Sequence, residues 1–456
     1  MPIFTLYGEQ PETGLRARFF YDNETSDLWR EDGTPAIPAP KTPPKTSYAG
    51  PAFHAVSKEQ PGIKAEIRTL KIQLGLGCNF SCEYCNQRSG ADEMEPSARG
   101  TDVEKFLAGL QSWFTGGSGG DGQDTRIEFW GGEPLVYWKT LLPLARALRE
   151  KYPKAVFKII TNGSLLNAEI NDWLDLLGFY VSISHDGPGQ KVRGPDPLDD
   201  PVSRAAIRDL YQRLHPQGRF SFNAMVHRGN PSRAALNKFF LQLTGDPTVV
   251  IGEGSVIDPY DAGGLRHSFR SDADSVDFRQ AAFDDIRQRR VTNLAIVEQR
   301  VNDIVQSIAQ KRPSTALGQK CGMDRSDAIA VDLHGNVLSC QNTSFKSRAP
   351  NGESHRIGHV SDFKGIRLTT ATHWSHRNEC RNCPVLQSCK GSCMFLEGPL
   401  WDAACDNAFA DHVPFFVTAI EHLTGYVVFF IDGPQRDTRK NIFGLVRDSK
   451  MPQTES

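Results

Sequence analysis

The sequence of 456 residues has little that would direct it to a membrane or to nucleic acid. Its most apolar late run, residues 425–431, is much shorter than the roughly 20 residues that a membrane-spanning helix needs. No basic block is present, and the formal net charge is −2, so binding to nucleic acid is not indicated. The first residues have neither a basic segment nor a long apolar one, so no signal peptide is predicted. We therefore expect a cytoplasmic protein that binds neither membranes nor nucleic acid.

Cysteine is missing from two long parts of the chain, before residue 78 and between residues 85 and 321, although ten cysteines are present. The ten fall into one group of three and one group of seven. Because disulfides are rare in a reducing compartment, this clustering favours metal ligation.

The first group has the spacing C-x3-C-x2-C and consists of Cys78, Cys82 and Cys85. Iron–sulfur clusters and zinc are both held by cysteine thiolates, usually four to a site. Because the next cysteine is Cys321, the loop has no local fourth thiolate, and one iron of a cluster would be open to bind and polarise a small molecule. A zinc knuckle or a set of buried thiols is the alternative, although the nearest preceding histidine is His54.

From residue 67 onward, strand-like and helix-like segments alternate. The predicted strands are 67–74, 126–130, 155–160, 179–184, 219–226 and 248–251, and the predicted helices between them are 101–114, 139–151, 167–177, 202–214 and 232–243. Repeated strand–helix units predict a parallel sheet. About six units favour an α/β fold with a partial (β/α)6 TIM-like barrel over a complete eight-unit barrel.

The segments that flank this region carry no recognisable motif. Residues 1–66 are predicted to form an extension, with one or two strands between Phe4 and Phe20 and a proline-rich linker over 36–44. The extension is either a packing arm or an edge at which a peptide docks by strand addition. We expect residues 261–320 to form a helical linker and residues 406–456 to form a tail that returns to the core.

Glycine-containing motifs follow three successive predicted strands: Gly131-Gly132-Glu133-Pro134, Thr161-Asn162-Gly163 and, after Ser184, His185-Asp186-Gly187-Pro188. Each motif is by itself a plausible turn. Parallel strands end at the same edge of a sheet, so these motifs and the cysteine loop are expected to converge there and cradle one ligand. Glu133 can accept hydrogen bonds from an ammonium group, and the side chains of Asn162, Ser184 and Asp186 can bond hydroxyls or a carboxylate.

The three-cysteine loop and these motifs resemble the radical S-adenosylmethionine (SAM) superfamily over about residues 67–260. In that family SAM chelates the open iron of a [4Fe–4S] cluster, and electron transfer cleaves it to a 5′-deoxyadenosyl radical that abstracts a hydrogen from the substrate. The resemblance implies that Tyr84 lies beside the adenine and that Gly132 and Glu133, which follow Gly131, receive the methionine amine. Asn162 and Asp186 belong to the same cofactor-binding set. Ser184 and Arg193 are candidates for the ribose and the carboxylate, with an ordinary surface charge as the alternative for Arg193.

The seven late cysteines resemble the SPASM domain of such enzymes, over residues 321–405. They are Cys321, Cys340 after a predicted hairpin over 328–339, then Cys380, Cys383, Cys389, Cys393 and Cys405. The resemblance implies two auxiliary [4Fe–4S] clusters, an outer one on Cys380, Cys383, Cys389 and Cys405 and an inner one on Cys321, Cys340 and Cys393. A pair of zinc ribbons is the alternative. Family members with full ligation have a further cysteine where Asp327 stands, so the last inner iron is either open or bound by Asp327.

SPASM enzymes mostly modify ribosomally made peptides or proteins, so the resemblance implies a peptide maturase that forms a thioether, carbon–carbon or ether crosslink. Flavodoxin or ferredoxin is the expected electron donor. An anaerobic sulfatase-maturating enzyme ranks second, because that family has an aspartate base after the second SPASM cysteine, where this chain has Gln341. Single amino acids or small metabolites rank third as substrates, and a non-catalytic iron–sulfur electron carrier is the hypothesis from another class. The catalytic acid or base stays unassigned, although Gln341, Asp324 and His185 lie near the motifs.

Overall fold

The computed structural model of the protein describes residues 2–37, 48, 50, 52–87, 100–252, 254–269, 271–369 and 372–444. The predicted proline-rich linker falls mostly outside these residues. The described helices are Gly100–Leu110, Trp138–Lys151, Ala168–Leu176, Pro201–Leu214, Arg233–Thr244, Ala262–His267, Asp272–Arg287, Ala295–Ala309, Asn378–Arg381, Leu386–Cys389 and Gly398–Thr424. None of the described helices combines the length and apolar character needed to cross a membrane.

The larger sheet has eight strands and contains five of the six predicted barrel strands. The eight strands are β4 (Thr69–Gln73), β5 (Arg126–Trp130), β6 (Val156–Thr161), β7 (Phe179–Ser184), β8 (Phe220–Asn223), β9 (Ala328–Asp332), β10 (Asn336–Leu338) and β11 (Arg356–His359). The spatial order is β11-β10-β9-β4-β5-β6-β7-β8, with the run from β9 to β8 parallel. The prediction of an α/β fold with a parallel sheet and a partial barrel is confirmed.

One predicted barrel strand, 248–251, is wrong as a full strand. The segment makes only single bridges, from Ile251 to Phe222 on one side and to Leu294 on the other. The sixth parallel strand is instead β9, which belongs to the predicted hairpin before Cys340 and pairs with β4 from Thr69↔Ala328 to Gln73↔Asp332. The cysteine-rich region therefore continues the barrel sheet directly.

The two faces of the barrel strands differ in polarity, because successive side chains of a strand point to opposite faces. The face toward the helices carries buried apolar residues such as Leu70, Ile127 and Phe157. On the other face Lys71, Glu128 and Lys158 stand in register across three strands. The interior of the partial barrel is therefore polar.

A second sheet joins the two ends of the described chain in the order β12-β1-β2-β3. Its strands are β1 (Ile3–Glu9), β2 (Arg16–Asp22), β3 (Leu28–Arg30) and β12 (Val427–Asp432). The predicted early strands are present, and the unpredicted pairing of β1 with β12 shows how the tail returns. The helix Gly398–Thr424 packs beneath this sheet and passes without a break through the predicted boundary at residue 405.

A buried ion triad connects this long helix to the barrel. Asp411 binds the guanidinium of Arg233 through one oxygen and that of Arg300, at 2.7 Å, through the other. Arg233 also donates to the carbonyl oxygen of Gly254, at 2.7 Å and 3.0 Å. All three charged side chains are largely removed from solvent. Because an unpaired charge is costly to bury, the ion pairs between them are needed to offset that cost.

His355, next to β11, makes the stability of the cysteine-rich region sensitive to acid. Its ring is buried against Phe395, and its Nδ1 lies 2.6 Å from the hydroxyl of Ser339. Burial lowers the pKa of His355 to about 4. Since the unfolded chain takes up this proton at about pH 6.5, the stability contribution is complete above that pH and is lost as the pH falls toward 4.

We expect the free energy of unfolding to fall by up to about 3 kcal/mol between pH 7 and pH 4 through this group. Unfolding by urea at several pH values, on the protein and on a His355→Gln variant, measures the contribution. The variant is expected to show a shallower dependence on pH. Equal pH dependence in the two proteins would exclude His355 as the source.

Candidate active site

The cysteine loop leaves the end of β4 and is held by backbone contacts from the end of β5. The amide of Gly132 donates to the carbonyl oxygen of Gly75 at 3.0 Å, and that of Glu133 donates to Gly77 at 3.0 Å. The amide of Gly77 in turn donates to the hydroxyl of Tyr137 at 2.7 Å. A Cβ atom on Gly132 would clash with the carbonyl oxygens of Leu76 and Gly77, so only glycine permits this close approach.

Glu133 is buried and ties the ends of two strands together. One carboxylate oxygen accepts from the amide of Leu135 at 3.1 Å and from the hydroxyl of Thr161 at 2.8 Å, and the other accepts from the amide of Asn162 at 2.7 Å. Burial raises the pKa of Glu133 although these donors oppose the shift. Three of its roughly four acceptor positions are thus in use, which leaves about one for an ammonium group.

Asn162 connects the end of β6 to the cysteine loop. Its side-chain amide donates to the side-chain oxygen of Asn79 at 2.8 Å, and the amide of Asn79 donates to the hydroxyl of Ser164 at 2.8 Å. Asn162 is therefore engaged with the loop that precedes Cys82. Ser184 lies at the end of β7, where it is nearly buried.

Tyr84, Asp186 and Arg193 form one buried hydrogen-bonded set. The hydroxyl of Tyr84 donates to Asp186 and accepts from Arg193 at 2.9 Å, while the amide of Met225 donates to Asp186 at 2.9 Å. The surface alternative for Arg193 is wrong, because its side chain is only 12% exposed and lies 3.6 Å from the carboxylate of Asp186. Asp186 is therefore placed to hold Tyr84 and Arg193.

The three loop thiols lie beside this set. The Sγ of Cys78 accepts from the amide of Phe80 at 3.3 Å. Burial raises the pKa of Cys82 to about 12, an effect that the nearby Arg193 guanidinium opposes. Because a raised pKa keeps a thiol protonated, such thiols release protons when they bind iron.

The loop and its surroundings fit an anionic cluster and a ligand that carries an acceptor group such as a carboxylate. The donor set has three thiols, and the Nε of Arg193 is a buried donor that has no hydrogen-bond partner among the residues that the structure describes. Such a donor is costly to bury unless a ligand acceptor meets it.

The late cysteines lie in two groups, which we call the inner group and the outer group. The inner group is Cys321, Cys340 and Cys393, whose thiols influence one another electrostatically. The outer group is Cys380, Cys383, Cys389 and Cys405, which line one small cavity. Within the described ranges, no set of three or more His, Cys, Asp or Glu side chains surrounds a single metal ion. The assignment of clusters therefore depends on the cysteine spacing and on this grouping.

Asp327 is paired with a neighbouring arginine. Arg325 donates to both of its carboxylate oxygens, at 2.8 Å and 2.6 Å, and this pairing lowers the pKa of Asp327. Tyr260 approaches the inner group instead, with its hydroxyl 3.5 Å from the Sγ of Cys393. The phenol of Tyr260 was not predicted, because no local pattern links residue 260 to Cys393.

The three residues named as possible acids or bases have different surroundings. His185 is buried against Phe239, and its Nε2 lies 2.9 Å from Asp196. These contacts are typical of a histidine that stabilises the fold. Asp324 is also buried and accepts from the amide of Gln319 at 2.7 Å. Gln341, by contrast, lies at the barrel interior.

Gln341 meets polar side chains of β4 that the sequence reading did not single out. Its side-chain oxygen accepts from Lys71 at 3.3 Å, and its carbonyl oxygen accepts from Gln73 at 3.2 Å. Lys71 also lies 3.9 Å from the carboxylate of Glu128. Polar residues at alternate positions of a buried strand, here 71 and 73, are the signal that could have identified this face.

Comparison with known proteins agrees with this arrangement. The family described as a 4Fe-4S single cluster domain matches residues 69–191. The radical SAM cyclopropyl synthase TigE of Paramaledivibacter caminithermalis is 21% identical over 350 residues, which are 72% of this chain and 68% of that protein. The cysteine-type anaerobic sulfatase-maturating enzyme of Clostridium perfringens is 22% identical over 352 residues, which are 72% of this chain and 89% of that enzyme.

Solved structures share the fold. Native anSMEcpe with bound AdoMet has a TM-score of 0.53 and 16% identity, with coverage of 78% of this chain and 99% of that one. The same protein with AdoMet and the Cp18Cys peptide has a TM-score of 0.53, 17% identity and the same coverage. The likeness to these structures shows the fold, and the cysteine loop, the matching cluster family and the two curated relatives support a radical SAM enzyme related to the anaerobic sulfatase-maturating enzymes.

Proposed function

We propose that this enzyme oxidatively modifies a ribosomally synthesised peptide by forming a crosslink, which is a thioether, carbon–carbon or ether bond. The observation that carries the proposal is the polar interior of the partial barrel, closed by the segment that follows Cys340. Lys71 lies in this interior and acts electrostatically on the thiols of both Cys321 and Cys340. A peptide side chain bound there would lie between the cysteine loop and the inner group.

The ligand assignments within this proposal follow the motifs. Cys78, Cys82 and Cys85 hold the SAM-binding [4Fe–4S] cluster, and the inner and outer groups hold two auxiliary clusters. The backbone of Gly131, Gly132 and Glu133 and the side chain of Arg193 bind SAM beside Tyr84. With SAM and the cluster in place, the site would supply a 5′-deoxyadenosyl radical that removes one hydrogen atom from the substrate. Formation of the crosslink would then release one proton and pass one electron to an auxiliary cluster. A reduced flavodoxin or ferredoxin provides the electron that cleaves SAM.

The chain's own residues prepare the site for this chemistry. Asp186 holds Tyr84 and Arg193 in place beneath the cysteine loop. The side-chain amide of Gln87 donates to the carbonyl oxygen of Gly131 at 3.2 Å and to Asn342 at 3.4 Å, and so links the loop to the cysteine-rich region. Lys71 and Glu128 offer a cation and a carboxylate to polar groups of the substrate.

The names of related proteins support a peptide substrate. One solved structure of the same fold contains a bound peptide. One relative is a cyclopropyl synthase, a name that supports formation of a carbon–carbon bond. Formylglycine formation, the activity of the sulfatase-maturating relatives, is the second candidate. It is disfavoured because the amide of Gln341, which stands where that family has its aspartate base, cannot accept a proton from substrate.

A mass measurement separates the two candidates. We expect a precursor peptide encoded beside the gene, co-expressed anaerobically with the enzyme, to lose two hydrogen atoms without reacting with an aldehyde-specific hydrazide. Co-expression with a Cys82→Ala variant is the control and should return unmodified peptide. Labelling by the hydrazide, or modification of a sulfatase-derived peptide alone, would support formylglycine formation in place of crosslinking.

A further inference from the structure

A buried guanidinium from the C-terminal segment contacts the outer group. The Nη2 of Arg439 donates to the Sγ of Cys405 at 3.3 Å, and Arg439 is only 5% exposed. Arg439 lines the same cavity as the four outer cysteines. Nothing in the cysteine spacing points to this residue, which lies 34 positions after Cys405.

Neighbouring groups hold the side chain in this position. Its guanidinium lies over the ring of Phe409, 4.8 Å from the ring centre, and it forms an ion pair with Asp406. Cys405, Asp406 and Phe409 all belong to the helix Gly398–Thr424, so the guanidinium is fixed against one helical turn. Orientation toward Cys405 is therefore built into the fold.

Buried cations outnumber buried carboxylates among the described residues around this position. Arg279 is also buried and faces the same ring of Phe409 at 5.5 Å, and its Nη1 has no hydrogen-bond partner in the described part of the chain. Asp272, which acts electrostatically on Arg279, is exposed. Asp406 is the carboxylate paired with Arg439, and its side chain is 46% exposed. Because buried charges require compensation, additional negative charge is expected in the adjoining cavity. A cluster bound by four thiolates has that charge.

We propose that Arg439 stabilises the reduced form of the outer auxiliary cluster and thereby sets its reduction potential. The inference depends on the cluster ligation in the proposed function. One-electron reduction changes [4Fe–4S]²⁺ to [4Fe–4S]⁺ and adds one negative charge to the cluster and its thiolates. A hydrogen bond from a cation to a ligand sulfur strengthens as that charge grows, so it favours the reduced state. Arg439 acts through Cys405 and is a positioning residue.

The test is a redox titration of the reconstituted full-length enzyme, followed by electron paramagnetic resonance with dithionite as reductant. We expect Arg439→Met to lower the midpoint potential of one auxiliary cluster by about 59 mV or more, which is a tenfold change in a one-electron equilibrium. Arg439→Lys keeps the positive charge, so its midpoint potential should stay close to that of the original enzyme. Arg439→Gln keeps a neutral donor and should fall between the Lys and Met variants.

Arg436→Met is the matched control. Arg436 lies on the same segment and pairs with Asp402 at 3.1 Å and Asp406 at 3.4 Å, but its side chain is 42% exposed. The Arg436→Met change removes the same charge as Arg439→Met but no hydrogen-bond donor to sulfur. The midpoint potentials of the clusters should therefore stay unchanged. Should Arg439→Met fail to retain iron, the comparison of the Lys and Gln variants decides, and a higher potential for Lys supports the inference.

Two results would overturn the proposal, and they can be told apart. Three clusters with the same potentials in the Arg439 variants and the original enzyme would remove the role of Arg439 alone. Iron for fewer than three clusters in the original enzyme would instead overturn the proposed ligation on which the inference depends.

Discussion

The Cys82→Ala variant is expected to release no 5′-deoxyadenosine from SAM and to lose the iron of one cluster while keeping the rest. Cys82 lies in the middle of the three-thiol loop, beside Arg193 and the set formed with Tyr84 and Asp186. Removal of one of only three thiolates leaves a cluster without enough protein ligands. The late cysteines belong to other parts of the fold, so their sites should persist.

Iron analysis and chromatography of nucleosides after anaerobic incubation with dithionite measure both effects. Cys389→Ala is the control, because Cys389 lies in the outer group and lines its cavity. That variant should lose iron from an auxiliary site and still cleave SAM. Continued cleavage by Cys82→Ala would contradict the assignment of the loop, and loss of cleavage in both variants would mean that the sites are not independent.

The Asp411→Ala variant is expected to lose about 3–5 kcal/mol of folding stability. Burial by itself would raise the pKa of Asp411, but the guanidiniums of Arg300 and Arg233 outweigh it and hold that pKa far below its usual range. Removal of the carboxylate leaves two guanidiniums in a largely buried site without their counter-charge. The pairing joins the helix Gly398–Thr424 to the barrel, so its loss weakens the contact between the two parts of the fold.

Anaerobic unfolding by urea, followed by tryptophan fluorescence, measures this loss. Asp402→Ala is the control, because Asp402 lies on the same helix but is 53% exposed and pairs with the exposed Arg436. That change should alter the stability by no more than about 0.5–1 kcal/mol. A loss below about 1 kcal/mol in Asp411→Ala would mean that the triad does not hold the helix to the barrel.

Much of the barrel could be predicted from the sequence, because its elements are encoded locally. The helix after β6 is predicted from its cap, and the structure shows the side chain of Asn167 accepting from the amide of Ile170 at 3.0 Å. The predicted strand 179–184 has the same limits as β7. The cysteine loop and the glycine motifs follow strand ends, and their convergence follows from the parallel direction of the strands.

The sequence alone determined the fold class and which loops meet at the site, since periodicity and turn residues act over short distances along the chain. Only the tertiary structure decided the long-range partners. It paired β9 with β4, reduced the predicted strand at 248–251 to isolated bridges, buried Arg193 under Tyr84, and directed Arg439 to Cys405. These contacts join residues that are separated in the chain. They form because buried charges must be paired and buried backbone groups must be hydrogen-bonded. A local sequence pattern does not specify which distant residue supplies the partner.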